Sequence, residues 1–421
     1  MQKPSNLQRA RGRVLVDLLS EKKEFSPEDA PSARHLMKEF LEVDNELLAD
    51  TANPNLVATR SARQQRLAER IRETAPGHAR LVTAVPISFS ELKGLVGQDE
   101  TIVGFWWRDE TERYVYALNK GQEPVLMRID GQDVDRNVSE FRKAIESPGD
   151  HLSLDQVRRS AQRLYDVLIR PVRDAIAFKQ IITFVPDGSL HYLPFNALYT
   201  GHGFLVEEYL VRVVPSLSAL KLLGAVKAAG RGALVFGNPL RPDESELVYA
   251  EREAIAVAAS SPNARLLLKG DATAAAFKSA KDYGYVHIAS HAAFDQTSPR
   301  QSRLLLAAPP FPGDITVDDI FDIKLNAKLV VLSACQTALS YVSGGKELIG
   351  LTESFIKAGA RVIIGSLWRI EDASTAFLME RFYRALSQGE DPTEALQEAQ
   401  IKTLRQYQHP YFWAAFQLTG L

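Results

Sequence analysis

From Ile181 onward, short apolar runs alternate with amphipathic stretches, and few architectures accommodate that pattern. The runs are Ile181–Val185, Val211–Val214, Ala233–Phe236, Arg265–Leu268, Tyr285–Ile288, Leu329–Leu332 and Val362–Leu367. Helical stretches fall at Leu247–Ala259, Ala274–Tyr283, Leu348–Ala358, Thr375–Leu386 and Pro392–Leu404. A near-continuous apolar strand has no face left for water, so its sheet needs helices on both sides. Alternating β and α units therefore predict an α/β fold with a doubly covered, mostly parallel sheet. The last helix opens with Asp391 as N-cap, Pro392 at the first helical position and Glu394 at the third, a strong start signal. Gly359 and Gly389 fit the stops of the two helices before it.

The rest of the chain reads differently. Residues 1–75 form a predicted helical segment, with Leu15, Leu18, Leu19, Phe40, Leu41, Leu47 and Leu48 as intermittent apolar positions. Pro76-Gly77 breaks that pattern. Residues 76–150 form an accessory region with a β-meander at Thr101–Trp106, Arg113–Leu118 and Pro124–Arg128, followed by a helix near Val134–Ile145. A further helix, Asp155–Ile169, opens the domain spanning 151–421. Its catalytic half is expected at about 231–421.

Composition narrows the function. A hydrophobic fraction of 45% supports sizeable cores. With 50 basic and 52 acidic residues the net charge is −2, so no nucleic-acid footprint is expected. One cysteine allows neither an internal disulfide nor a paired-cysteine metal site. The first residues lack the apolar core of a signal peptide, and the apolar runs are strand-length. The expectation is a cytoplasmic globular protein with no metal, cofactor, nucleic-acid or membrane partner.

That cysteine stands where a nucleophile would be placed. Cys335 follows the run from Leu329 to Ala334, and His291 follows the run from Tyr285 to Ser290. Open α/β sheets bind ligands at the C-terminal ends of their strands. A thiol and an imidazole delivered there by two strands can meet as nucleophile and base. The alternative is a cysteine buried as a small hydrophobe. Chain order discriminates among cysteine enzymes: His291 precedes Cys335 by 44 residues (335 − 291), the caspase-type order rather than the papain-type order. Other chemistries lack their motifs. There is no GxSxG elbow, and Gly344-Gly345-Lys346 is followed by Glu347 rather than Ser or Thr, so it is not a P-loop. No HExxH is present.

Several blocks together resemble the CHAT domain, a caspase- and separase-like peptidase family often associated with tetratricopeptide repeats. They are Leu329-Val-Val-Leu-Ser-Ala-Cys335-Gln-Thr, Lys346-Glu-Leu-Ile-Gly-Leu351, Ala358-Gly-Ala-Arg361, Gly365-Ser-Leu-Trp368 with Asp372, and His409-Pro-Tyr-Phe-Trp-Ala-Ala-Phe416. Upstream, Val185-Pro-Asp-Gly-Ser-Leu-His-Tyr-Leu-Pro-Phe195 and Phe236-Gly-Asn-Pro239 fit as well. The resemblance implies a caspase-like sheet and a regulated bacterial endopeptidase. His291 would be general base and Cys335 nucleophile, with an oxyanion hole from the backbone N–H groups of Ala292 and Cys335. Ser366, Leu367, Trp368 and Asp372 would bind substrate. It also implies specific protein substrates, such as a pore-forming or defence effector, and a repeat-containing or other regulatory partner. The P1 preference stays open between an acidic pocket (Asp295, Glu371, Asp372) and a basic one (Arg303, Arg369), with a lean to basic P1. The other reading is a catalytically silent scaffold that kept the fold.

Overall fold

The computed structural model describes residues 39, 43, 59–60, 62–63, 66–67, 69–70, 94–107, 113–148, 154–226, 228–261, 263–295, 298–307, 313–334, 337, 340–342, 348–369 and 372–421. The chain divides into two compact units, one of Met1–Leu95, Ser216–Leu222 and Val342–Leu348, the other of Val96–Pro215, Leu223–Tyr341 and Ile349–Leu421. In the first, Glu39, Val43 and the described positions between 59 and 70 are helical. Val43 and Leu67 are buried, and Arg63 pairs with Glu39 at 2.7 Å. The rest of the helical segment expected over 1–75 lies outside the described residues.

The second unit is organised by an 11-stranded sheet. Its strands are β1 (Glu100–Trp107), β2 (Arg113–Asn119), β3 (Val125–Ile129), β4 (Ile181–Val185), β5 (Leu210–Val213), β6 (Ala233–Pro239), β7 (Ala264–Lys269), β8 (Tyr285–Ala289), β12 (Leu329–Ser333), β15 (Val362–Ser366) and β16 (Phe416–Gly420). Three short strands, β9 (His291–Ala293), β10 (Arg303–Leu305) and β11 (Asp314–Thr316), form a separate sheet, while β13 (Ser340–Val342) and β14 (Leu348–Gly350) form a ladder of two. The order in the large sheet is β3-β2-β1-β4-β5-β16-β15-β12-β8-β6-β7. Strands β1 to β3 are the expected antiparallel meander, and β1 then pairs in parallel with β4. Strands β7, β6, β8, β12 and β15 are parallel neighbours throughout. The fold is thus the mostly parallel α/β sheet that the apolar runs predict.

Two layers cover the sheet because residues alternate between its faces. On one face, Ala233 and Val235 of β6, Leu329 and Val331 of β12 and Val362 and Ile364 of β15 pack on three helices. These are α3 (Val248–Ser260), α5 (Asp372–Ser387) and α6 (Pro392–Tyr407), contributing Val257, Phe382 and Leu396 among others. On the other face the intervening residues, including Phe236, Val330 and Leu332, are equally buried. There Phe236 meets Phe277, which makes an edge contact with Phe355 of α4 (Leu351–Ala358). Two earlier helices, α1 (Val134–Glu146) and α2 (Leu154–Leu168), join a second core with β1, β2 and β4.

Local signals placed most boundaries. Asp391 accepts from the Thr393 N–H at 2.9 Å and Glu394 reaches back to the Asp391 N–H, completing a capping box. Gly359 ends α4 in a left-handed conformation (φ +110°), and a Cβ there would lie 2.6 Å from the Leu325 carbonyl oxygen. Two boundaries differ from expectation. The helix expected from Leu348 begins at Leu351, because Leu348–Gly350 is drawn into β14 and an extended Gly350 becomes the N-cap. The stretch Ala274–Tyr283 is one α-helical turn capped by Thr273, then a 3-10 turn.

Candidate active site

Strands β8 and β12 lie side by side in parallel, with Ala289 opposite Ser333. Both chains leave the sheet at the same edge. The β8 exit passes through Ser290 to His291, which begins β9 and pairs with Leu305 of β10. The β12 exit passes through Ala334 to Cys335, which lies outside the described residues. A cleft of about 120 Å³ opens between these exits, and His291, Ser333 and Ala334 line it.

The imidazole is held from behind. His291 Nε2 lies 2.8 Å from the Ser245 carbonyl oxygen. A carbonyl only accepts, so Nε2 carries a proton, and in the neutral form of the ring Nδ1 is the basic nitrogen. Nothing in the sequence signals this contact, because a backbone carbonyl supplies it and the side chain at 245 is immaterial to it.

The β12 exit is fastened by a knot of hydroxyls. Thr337 is fully buried, accepts the Ser366 N–H at 3.0 Å and donates to the Leu332 carbonyl at 3.0 Å. The Ser366 hydroxyl donates to the Ala334 carbonyl, and Thr352 donates to the Thr337 carbonyl at 3.1 Å. These bonds bracket Cys335 in the chain. Ser366 lines the cleft but is only 2% exposed. Leu367 is fully buried, its N–H donating to the Ala415 carbonyl and its carbonyl accepting from Arg142. Trp368 is 1% exposed; its indole N–H donates to the Tyr411 carbonyl at 3.1 Å, and the residue lines the cleft.

Ala292 sits in β9 opposite Leu304. It is extended and not among the residues with positive φ, so alanine carries no backbone strain there. Asp372 begins α5, and its side chain lies outside the described residues, as does all of Glu371. Arg303 is engaged with Asp314 at 3.0 Å, while Arg369 lines the cleft. Asp295 accepts from the Ser298 N–H at 2.8 Å.

Beneath the cleft is a buried polar cluster that sequence reasoning did not find. Glu253 of α3 lines the cleft yet is 4% exposed. Its Oε1 lies 3.1 Å from His287 Nε2 without the alignment of a hydrogen bond. The other ring nitrogen of His287 lies 3.0 Å from the Tyr383 hydroxyl. Burial, reinforced by the Glu253 charge, pushes the Tyr383 phenol well above the usual tyrosine range. Among the described residues, no group of three or more His, Cys, Asp or Glu side chains is placed to hold a metal ion. None of the described helices is long and apolar enough to cross a membrane.

This sheet order, with helices on both faces and a cleft at the exits of β8 and β12, defines a caspase-like α/β fold. The chain belongs to the CHAT domain family, matching it over residues 158–421. Its curated relatives include tetratricopeptide repeat protein 28 of Mus musculus, 25% identical over 319 residues, and that of Homo sapiens, 26% identical over 321. Each match covers 61% of this chain and 13% of the relative. Among solved structures, a chain of the Saccharomyces cerevisiae separase–securin complex matches with a TM-score of 0.53 at 10% identity, covering 99% of this chain and 36% of that one. A second structure of that complex gives a TM-score of 0.55, also at 10% identity, covering 100% of this chain and 38% of that one.

Proposed function

We propose that the chain is a cysteine endopeptidase whose His291 and Cys335 act as base and nucleophile. The observation that carries this reading is His291 at the β8 exit, its Nε2 proton committed to the Ser245 carbonyl and the cleft shared with Ala334, the neighbour of Cys335. In this reading Nδ1 takes the thiol proton and the thiolate attacks a peptide carbonyl. The backbone N–H groups of Ala292 and Cys335 stabilise the oxyanion. The imidazolium then protonates the departing amine, and water releases the acyl group from sulfur.

The substrate-binding set is read accordingly. Ser366 and Leu367 already use their backbone N–H groups internally, so we assign Ser366 to holding the β12 exit and Leu367 to anchoring the end of β15 on Ala415. Trp368 supplies a wall, and Asp372 is retained as the candidate for a basic P1 side chain. The relatives are named for tetratricopeptide repeats, and the separase structures contain securin. A repeat-bearing or other protein partner that controls access to the cleft fits both. A pore-forming or defence effector in a bacterial cytoplasm remains the substrate class that the family implies.

The test compares new protein N-termini in a lysate treated with the wild type or with Cys335→Ala. Termini that share a P1 residue and vanish in the variant support the endopeptidase. Identical profiles, together with a Cys335 alkylation rate unchanged by His291→Ala, would sink the dyad and leave the silent scaffold.

A further inference from the structure

The Ser245 carbonyl can fix the His291 tautomer only if it is itself fixed, and it lies in an irregular loop between β6 and α3. Among the described residues, one side chain does most to define where that loop ends. Asn238, near the end of β6, is 3% exposed and has φ +47°. Its Oδ1 accepts the N–H of Leu247 at 2.8 Å; Leu247, two residues beyond Ser245, is the N-cap from which α3 begins. Its Nδ2 donates to Glu251 at 2.9 Å and reaches Glu246 at 3.5 Å. The orientation of the amide follows from these partners, since an N–H must face an acceptor and the carboxylates must face a donor.

Two ionic clamps complete the loop. Lys269 pairs with Glu246 at 3.1 Å and with Glu251 at 3.5 Å. Arg241 takes both carboxylate oxygens of Asp243, at 3.1 and 2.8 Å, and reaches Asp314 at 2.6 Å and the Leu306 carbonyl at 3.2 Å. Asp314 lies in β11 and Leu306 just after β10, so Arg241 ties the loop to the small sheet that carries His291 on β9. These clamps are exposed on at least one side, whereas Asn238 is buried and binds the loop directly. Hydrogen bonds anchored on a buried side chain hold geometry with less competition from water than exposed ion pairs do.

We propose that Asn238 is a positioning residue for His291: it holds the Ser245 carbonyl so that the ring stays protonated on Nε2 with Nδ1 free. This rests on the dyad reading above. Left-handed backbone at 238 suits asparagine, which tolerates this region and carries the amide the loop needs. Glycine there keeps the backbone and deletes the clamp.

The sole cysteine makes the test direct, because any thiol adduct on the intact chain reports Cys335. Iodoacetamide labelling at neutral pH is followed by intact mass for the wild type, His291→Ala and Asn238→Gly. In parallel, 15N-histidine spectra of the full chain read the His291 tautomer. Asn238→Gly is expected to slow labelling about 10-fold, the scale on which groups that orient a functional imidazole act, and to weaken the Nε2–H signature. Labelling within about twofold of wild type with an unchanged tautomer would overturn the proposal. If His291→Ala itself leaves labelling unchanged, the dyad reading fails instead, so the two failures are distinguishable. Should Asn238→Gly not fold, Asn238→Asp keeps the acceptor for the Leu247 N–H and tolerates the left-handed backbone, but it sets a carboxylate against Glu246 and Glu251. It is expected to slow labelling and weaken the Nε2–H signature, and a fold-competent Asn238→Asp that matches the wild type in both refutes the role.

Discussion

Thr337→Val probes the knot behind the candidate nucleophile. Valine keeps the shape of threonine and exchanges the hydroxyl for a methyl group. Three contacts disappear: the bond accepted from the Ser366 N–H at 3.0 Å, the one donated to the Leu332 carbonyl at 3.0 Å and its longer branch to the Ala334 carbonyl at 3.4 Å. Ser366 is 2% exposed and Thr337 fully buried, so water cannot replace the lost acceptor. An orphaned buried N–H costs roughly 1–3 kcal/mol, and a carbonyl with one bond fewer costs less because it has two lone pairs. The sum expected is about 2 kcal/mol. With an m-value near 3 kcal/mol/M, that moves the urea midpoint down by about 0.7 M. All four tryptophans, at 106, 107, 368 and 413, belong to the larger unit, so intrinsic fluorescence follows that unit. Thr337→Ser keeps the hydroxyl and should lose clearly less. A shift under about 0.5 kcal/mol for valine, or equal losses for valine and serine, would refute the reasoning.

The Tyr383 phenol, raised by burial and by the Glu253 carboxylate, should stay neutral while exposed tyrosines ionise; alkaline difference spectra of wild type and Tyr383→Phe should coincide until the chain unfolds. The same variant leaves the buried His287 ring nitrogen without its 3.0 Å partner, for an expected loss of about 1–3 kcal/mol by denaturant unfolding. Phe382→Ala empties a fully buried site beneath the sheet and should cost about 3–5 kcal/mol in the same assay. Asp243 is held below the usual carboxylate range by Arg241, and Glu246 by Lys269. Lowered folded-state values stabilise the loop at neutral pH and lose that stabilisation as pH falls through them, so amide exchange at Leu247, corrected for intrinsic rates, should lose protection in acid.

Long-range order was legible where local patterns are unambiguous. The run from Leu329 to Ser333 is apolar on both faces because β12 has layers on both sides, and that alone placed it inside a parallel sheet. Asp391-Pro392 and Gly359 announced helix ends through backbone chemistry that does not depend on the fold. His291 was legible as a strand-end histidine. Its partner Ser245 was not, because a carbonyl has no residue signature. Nor was the Glu253–His287–Tyr383 cluster, which joins α3, β8 and α5 only once they pack. Thr337 looked like a polar neighbour of Cys335; its hydroxyl gains meaning from β15, 29 positions away in sequence (366 − 337).

Strand β16 is the last of the sheet in chain order yet the sixth in space, filling the gap between β5 and β15. During synthesis, every other strand of the sheet leaves the ribosome before residues 416–420 do. Until then β5 and β15 each present an open edge, the kind of surface that recruits other chains. Phe416 of β16 also lines the cleft, so the wall beside His291 and the closure of the sheet arrive in one step. A nascent chain short of that strand therefore lacks one wall of the cleft and stays exposed to misassembly until these five residues pair.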